Sequence, residues 1–531
     1  MQYSVLIINI LIFIFKSYRG YALLICTASN NDCGVREYDM DGFQLINHFL
    51  FIRPVNVNYM AEDWDISDSS DDVYEEETDD EIEYIPVFVD DEDQNGYGSD
   101  TSAAQARTGK DIQGIPWRGM RLTLEEYRHG RLAQYENYED IPLSGETADK
   151  VQLTILLLVY IKVITFFHFR YHGNVLRVQK YKQTSKGDNY YEFFYNSRSV
   201  KPTFVHFQLR NMVWATSKHD VYVVSNDSIM YWSSLSQNLT EILDFSGHVA
   251  PTEKHEGSWL EGFTQTRIST LAVKDNFIVA GGSDGELVCK KLDQQGVSFC
   301  TRIIYEDIAL TTAIEIYDAM SGGKPFMTSN NDCGVRVYDM DGFQLVNHFR
   351  FPWPVNHTSL SPDRKLIAVV GDHLDGLLVD SSSGKARTCE YKYIRAATLE
   401  GHLDYSFASA WHPDGRIFAT GNQDKTCRLW DIRNLATPVS VLKGNMAAMR
   451  SVRFSSDGQF LVVAEAVDFV HVYNAKLNYE KRQEIDFFGE VSGVSLSPDD
   501  ETLYIGVWDP SYSSLLQFNK RHWYGYLDSF V

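Results

Sequence analysis

LEGHLDYSFASAWHPDGRIFATGNQDKTCRLWDIRNL, from Leu399 to Leu435, is the stretch whose reading decides the fold. Its short apolar runs are broken by turn residues, above all His412-Pro413-Asp414-Gly415, which is hairpin chemistry. Looser versions surround it. NHTSLSPDRKLIAVVGD (Asn356 to Asp372), SVRFSSDGQFLVVAE (Ser451 to Glu465) and GVSLSPDDETLYIGVW (Gly493 to Trp508) each set alternating apolar residues around an SPD- or SDG-type turn. Short closings similar to Trp430-Asp431 recur as Tyr231-Trp232-Ser233, Lys291-Leu292-Asp293, Val337-Tyr338-Asp339, Leu378-Val379-Asp380, Val472-Tyr473-Asn474 and Gln517-Phe518-Asn519. Including Trp430-Asp431 there are seven such units, mostly at the roughly 40- to 45-residue spacing of a repeat of four strands. Composition agrees: 31 Tyr, 30 Phe and 35 Gly against 14 Pro favour many short strands over long helices.

The best copy resembles the WD-repeat family. Gly401-His402 matches the family's opening, His412 to Gly415 its first hairpin turn, Thr420-Gly421 its second strand and Trp430-Asp431 its closing dipeptide. That resemblance implies an all-β, seven-bladed propeller over residues 203–528, with the longer gaps at 233–264 and 380–399 as loop insertions. It also implies that His402, Thr420, Asp424 and Trp430 form a hydrogen-bonded tetrad. Their chemistry suits it, since imidazole donates from one nitrogen and accepts at the other, a hydroxyl does both, carboxylate accepts and indole donates. A hydroxyl, a histidine and an aspartate also suggest a nucleophilic triad, but each coincides with a structural position of the repeat. The chain is further similar to a family of plant and fungal WD-repeat proteins. The shared stretches include DIQGIPW (Asp111 to Trp117), VHFQLRNMVWATSKHDVY (Val205 to Tyr222), GHVAP (Gly247 to Pro251), LEGFTQTR (Leu260 to Arg267), SFASAWHPDG (Ser406 to Gly415) and FFGEVSG (Phe487 to Gly493).

Phe418 to Arg433 resembles the extended WDxR box of substrate receptors of cullin-RING ubiquitin ligases, with Asp424, Trp430, Asp431 and Arg433 at the box's fixed positions. The resemblance implies that Asp431 and Arg433 face a ligase adaptor, where a guanidinium can make several directed hydrogen bonds. Arg433 alone goes beyond what a blade needs. The expectation is a non-catalytic scaffold for proteins or peptides, with the ligase receptor as its alternative. The sequence shows no nucleotide-binding glycine loop, metal-spaced His/Cys cluster or nucleophile elbow, so neither cofactor nor metal is expected.

Before residue 203 the chain changes character several times. Ser29 to Asn56 repeats Ser329 to Asn356 almost verbatim, differing only at Glu37, Ile46, Leu50, Ile52 and Arg53. Residues 1–59, an apolar leader plus this copy, therefore read as a recent duplication or an artefact of gene prediction, with Met60 the expected functional start. A lone blade fragment would leave open strand edges and an unburied apolar face. Residues 60–106 form an acidic tail. Between Ala61 and Ala106 there are 18 acidic residues and no Lys or Arg, the composition of a disordered segment. Ser69 and Thr78, each followed three residues later by an acid, are candidate phosphorylation positions. Residues 107–143 hold a short motif and a helix that starts at a Thr123/Glu126 capping box and sets Leu124, Tyr127, Leu132, Tyr135 and Tyr138 near one face. That face either packs on the propeller's flank or docks a partner. Residues 144–202 read as a linker with an apolar insertion at 151–169, weakened as a membrane span by Lys162 and His168.

The net charge of −24 is concentrated in the tail, and no basic stripe offers a footprint for nucleic acid. Seven cysteines (Cys26, Cys33, Cys289, Cys300, Cys333, Cys389 and Cys427) lack CxxC spacing and are expected as free thiols. Together these features predict a cytoplasmic or nuclear protein, with membrane association through 3–15 or 151–169 the minor alternative.

Overall fold

The structure is a computed structural model that describes residues 99–134, 181–305, 309–319, 322–384 and 398–522, together with the strand backbones between residues 9 and 51. The chain divides into two compact units, Met1–Ile85 and Pro86–Val531. In the second, sheets of consecutive antiparallel strands follow one another as blades. Their innermost strands are Val213–Ala215, Ile268–Lys274, Thr311–Ile316, Val355–Leu360, Ser406–Trp411 and Met449–Phe454, then the latter part of Lys481–Leu496. Each innermost strand neighbours the next, and Lys481–Leu496 returns to Val213–Ala215, which closes the ring. All seven predicted closings fall on or at the end of a blade's third strand: Ser228–Ser233, Glu286–Lys291, Gly334–Asp339, Gly376–Asp380, Thr426–Asp431, Val467–Asn474 and Ser514–Lys520.

The last two blades share one strand. Lys481–Leu496 pairs through its first part with Val467–Asn474, as the outer strand of the sixth blade, and from Glu490 onward with Thr502–Trp508, as the inner strand of the seventh. Gly489, between the two parts, has φ +125°, a backbone conformation that L side chains rarely adopt. The seventh blade is completed from far away in sequence. Tyr191–Ser197, inside the stretch expected to be a linker, pairs antiparallel with Ser514–Lys520, and Thr101–Ser102 adds beyond it. The fold thus begins before residue 203. An open last blade would present an unpaired edge, and the earlier strand occupies it. Val462, Val470, Ile485, Leu503, Ile505 and Leu516 pack with Tyr191 into one buried cluster across the two blades.

Ahead of the ring, Leu124–Gln134 is a helix whose capping box forms as expected: Thr123 N donates to Glu126 Oε2 at 2.9 Å, and Glu126 N to Thr123 Oγ1 at 3.2 Å. Its packing differs from the apolar-face expectation. Leu124 and Leu132 are exposed. The docked face is Tyr127, Arg128 and Arg131, with Arg128 and Arg131 paired to the fully buried Asp468 and Tyr127 against Phe488. Periodicity counts apolar residues and misses a face held by buried charge pairs. Tyr135 and Tyr138 lie outside the described residues.

The gap at 233–264 holds the first blade's outer strand, Asn238–Asp244, and a small hairpin of His248–Val249 with Phe263–Thr264. In the other unit the duplicated stretch lies in a four-stranded antiparallel sheet with Asn9–Ser17 and Gly20–Ala28 before it, so the copy has flanking strands. Its last two strands pair in the register of the original: Arg36 opposes His48 as Arg336 opposes His348, with the bulge one residue later in both. The preceding hairpin differs, since Val35 faces Cys26 whereas Val335 faces Ser329. Cys289, Cys300 and Cys427 are free thiols. Among the described residues no helix is long and apolar enough to cross a membrane. Ser69, Thr78 and the apolar insertion at 151–169 lie outside the described residues.

Candidate functional site

Antiparallel alternation puts two kinds of loop on one face of the ring: those entering each blade and the turns joining its second strand to its third. The opposite face carries the turns between first and second strands and between third and fourth. The fifth blade, with strands Ser406–Trp411, Ile417–Asn422, Thr426–Asp431 and Ser440–Lys443, displays both faces clearly.

On its entry face the four predicted residues meet. Trp430 Nε1 donates to Thr420 Oγ1 at 2.9 Å, Thr420 Oγ1 lies 2.8 Å from His402 Nε2, and His402 Nδ1 lies 2.9 Å from Asp424 Oδ2. One proton assignment satisfies every atom. The imidazole carries its proton on Nδ1, donates to Asp424, and accepts the Thr420 hydroxyl proton at Nε2. The hydroxyl oxygen is then free to accept from the indole. All four side chains are buried. Burial holds His402 below its ordinary pKa, with Arg428 acting the same way against the opposing pull of Asp424. Burial pushes the Asp424 carboxyl up, but His402, Arg428 and Thr426 outweigh it and bring the pKa to about 2. Asp424 also accepts from the backbone N–H groups of Leu403 and Thr426 at 3.0 Å each. The loop that enters the blade is thereby tied to the turn between its second and third strands. Thr420 is engaged on both sides, so its hydroxyl is a strut rather than a nucleophile.

The family profile described as "WD domain, G-beta repeat" matches residues 394–431, the same repeat. The chain carries a WD repeat. It is similar to Eukaryotic translation initiation factor 3 subunit I of Anopheles gambiae, at 30% identity over 125 residues, 22% of this chain and 38% of that one. An uncharacterized protein of Schizosaccharomyces pombe is 24% identical over 195 residues, 34% of this chain and 55% of that one. A guanine nucleotide-binding protein subunit beta of Zea mays is 23% identical over 199 residues, 34% of this chain and 50% of that one. The chain spans about half or less of the length of these relatives. Among solved structures, a chain of the "Crystal Structure of Mitotic Checkpoint Complex" is similar with a TM-score of 0.48 at 13% identity, covering 61% of this chain and 94% of that chain.

In this WD-repeat ring the sixth blade makes the same tie with other residues. Glu465 ends the second strand where Asn422 ends it in the fifth, as the pairs Met449 with Glu465 and Ser406 with Asn422 show. Its buried carboxylate accepts the backbone N–H groups of Asn445, Met446 and Ala447 at 2.6, 2.8 and 2.6 Å, and lies 2.7 Å from His471 Nε2. Sequence reading did not find this pair. The available signal was an acid at the end of a strand otherwise made of apolar residues.

A second contact that no local sequence pattern marks covers the entry face of the sixth and seventh blades. Gln113 donates to Phe488 O and accepts from Phe488 N, each at 2.6 Å, across 375 residues. Trp117 and Phe488 have ring centroids 5.2 Å apart. DIQGIPW and FFGEVSG, far apart in the sequence, therefore touch. Arg131 grips Asp468 through two nitrogens at 2.7 Å each, and Asp468 also accepts from Gly489 N at 2.9 Å. Residues 111–131 are a strap over these blades.

On the opposite face, Arg433 is 64% exposed in its side chain and holds Asp431 through two nitrogens, at 3.0 and 2.7 Å. Arg416 Nε reaches the same carboxylate at 3.0 Å. The Arg433 hydrogen bonds, then that of Arg416, hold Asp431 far below the usual carboxylate range. Asp431 thus fixes two exposed guanidinium groups in one place. Among the described residues no group of three or more His, Cys, Asp or Glu could hold a metal ion.

Proposed function

We propose that this chain is a non-catalytic scaffold that docks proteins or peptides on the faces of its propeller. The observation that carries the reading is the pair of buried polar ties, at Asp424 and Glu465, that fix loops on the entry face before any partner arrives. Loops held this way lose little conformational entropy on binding, and that spares affinity. Affinity purification of the tagged full chain, followed by chemical cross-linking, tests it. Reciprocal cross-links from a partner to entry-face loops support the scaffold; purification that returns the chain alone removes it.

The exposed arrangement of Arg433 and Arg416 around Asp431 favours a second reading, a substrate receptor whose far face meets the adaptor of a cullin-RING ubiquitin ligase. An adaptor carboxylate or carbonyl would find guanidinium donors already oriented. Co-precipitation of the adaptor with the wild type and its loss with Arg433→Ala is the expected result; no adaptor, or equal recovery, sinks the receptor reading. Either role belongs in the cytoplasm or nucleus, which imaging of a fluorescent fusion checks.

A further inference from the structure

Among the described residues the strap covers the entry face at the sixth and seventh blades and does not reach the junction of the fourth and fifth. There, Leu374 on the turn between second and third strands of the fourth blade is 44% exposed, and Leu403 and Tyr405 on the loop entering the fifth are 37% exposed each. Carboxylates lie among them. Asn356 Nδ2 bridges Asp372 Oδ1 at 2.8 Å and the Ser406 carbonyl at 3.2 Å, which brings the two loops together. Asp372 and Asp404 both act electrostatically on the Tyr405 hydroxyl, and Glu400 on Asp375.

The described residues offer these carboxylates few partners. Among the described residues, the Asp404 carboxylate accepts only the neighbouring Tyr405 N–H and that of Asp372 only Asn356. Burial raises Asp404 to about 6, with Arg450 opposing and Asp424 and Asp372 reinforcing the rise. Arg450 packs over the Phe407 ring at 4.1 Å. Burial likewise raises Asp372 and Asp375. By contrast, the buried carboxylates of Asp424 and Glu465 each accept several donors. Acceptors with unused lone pairs beside exposed apolar side chains suit a ligand with cationic donors and an apolar residue.

We propose that this junction docks an extended basic segment of a partner protein, placing arginine or lysine against Asp372, Asp375 and Asp404 and an aliphatic side chain between Leu374, Leu403 and Tyr405. Charge decides the occupant. The carboxylates at the junction repel a nucleic-acid backbone, and the acidic tail, which holds most of the net charge of −24, disfavours a second copy of this chain. The proposal rests on the scaffold reading and names the partner chemistry of one of its surfaces.

Fluorescence anisotropy of the full chain with a labelled peptide alternating arginine and leucine tests it. Two control peptides replace arginine by glutamate or leucine by serine. The arginine-leucine peptide is expected to bind and both controls to bind at least about tenfold more weakly, with affinity falling as salt rises. The double variant Asp372→Asn, Asp404→Asn is expected to lose about tenfold in affinity, as is Leu374→Ser, which alters an exposed turn and keeps the fold. Unchanged thermal unfolding certifies each variant. Absence of binding, equal binding of the glutamate peptide, or affinity unmoved in folded variants overturns the proposal. If the partner cross-linked to the wild type still co-purifies with the double variant, the scaffold stands and this surface falls; if no partner co-purifies with the wild type, the scaffold itself falls.

Discussion

The fifth and sixth blades solve one problem with two sets of residues. Both anchor the loop that enters the blade to a buried carboxylate near the turn between second and third strands. In the fifth the acid is Asp424 on the turn, and its histidine comes from the entering loop. In the sixth the acid is Glu465 at the strand's end, and its histidine, His471, comes from the third strand. Val463 stands where Thr420 stands in the fifth blade, opposite His471 as Thr420 is opposite Arg428. The indole is replaced by Tyr473, whose hydroxyl accepts from Arg482 at 3.1 Å. What the two blades keep in common is the satisfaction of buried backbone N–H groups; the motif is one way to achieve it.

The most severe test of that equivalence is to remove each acid. Glu465→Ala and Asp424→Ala each strand several buried donors, so each is expected to cost about 3–5 kcal/mol, read as a fall in the urea midpoint of the full chain. A loss below about 1 kcal/mol for Glu465→Ala alone would break the comparison. Next in size is the reciprocal exchange. Thr420→Val cuts the relay between Trp430 and His402, and Val463→Thr buries a hydroxyl in a site built without one. Each is expected to destabilise by about 1–3 kcal/mol in the same unfolding measurement.

Acid sharpens the contrast further. Burial, then Arg453, holds His357 at about 3; it lies 3.0 Å from Ser409 on the fifth blade's inner strand. Because its folded pKa is depressed, its contribution is complete above the ordinary value of 6.5 and is lost as pH falls from there toward 3. His402 shifts in the same direction. Glu315, raised by burial to about 7, runs the other way and loses its contribution as pH rises through 4.5 to 7. The histidine's share is therefore the difference between the wild type and His357→Gln, expected to be about 2 kcal/mol between pH 7 and pH 5 in chemical denaturation. The smallest effect belongs to the far face: Arg433→Ala is expected to leave the unfolding midpoint unchanged and to show itself in binding alone.

Legibility followed the same division. The fifth blade was readable because its residue types sit at characteristic spacings, and the seven closings marked every third strand because strand ends repeat locally. The sixth blade's tie was not readable, since Glu465 and His471 depart from the motif and only strand register makes them neighbours. The helix was found and its cap read correctly, yet its docked face was not. Arg128 and Arg131 acquire a reason to be buried only when Asp468 arrives from more than three hundred residues away.

By itself the sequence determined the WD-repeat architecture, the number of blades, and the residues of the fifth blade's tetrad, because all of these are periodic or local properties of the chain. The tertiary structure alone decided which strand closes the ring and where the strap lies. Tyr191–Ser197 becomes a blade strand only by pairing with Ser514–Lys520, and the strap only by meeting Asp468 and Phe488. Such contacts join residues hundreds of positions apart, and their energy resides in the partner as much as in the segment. No local pattern encodes them.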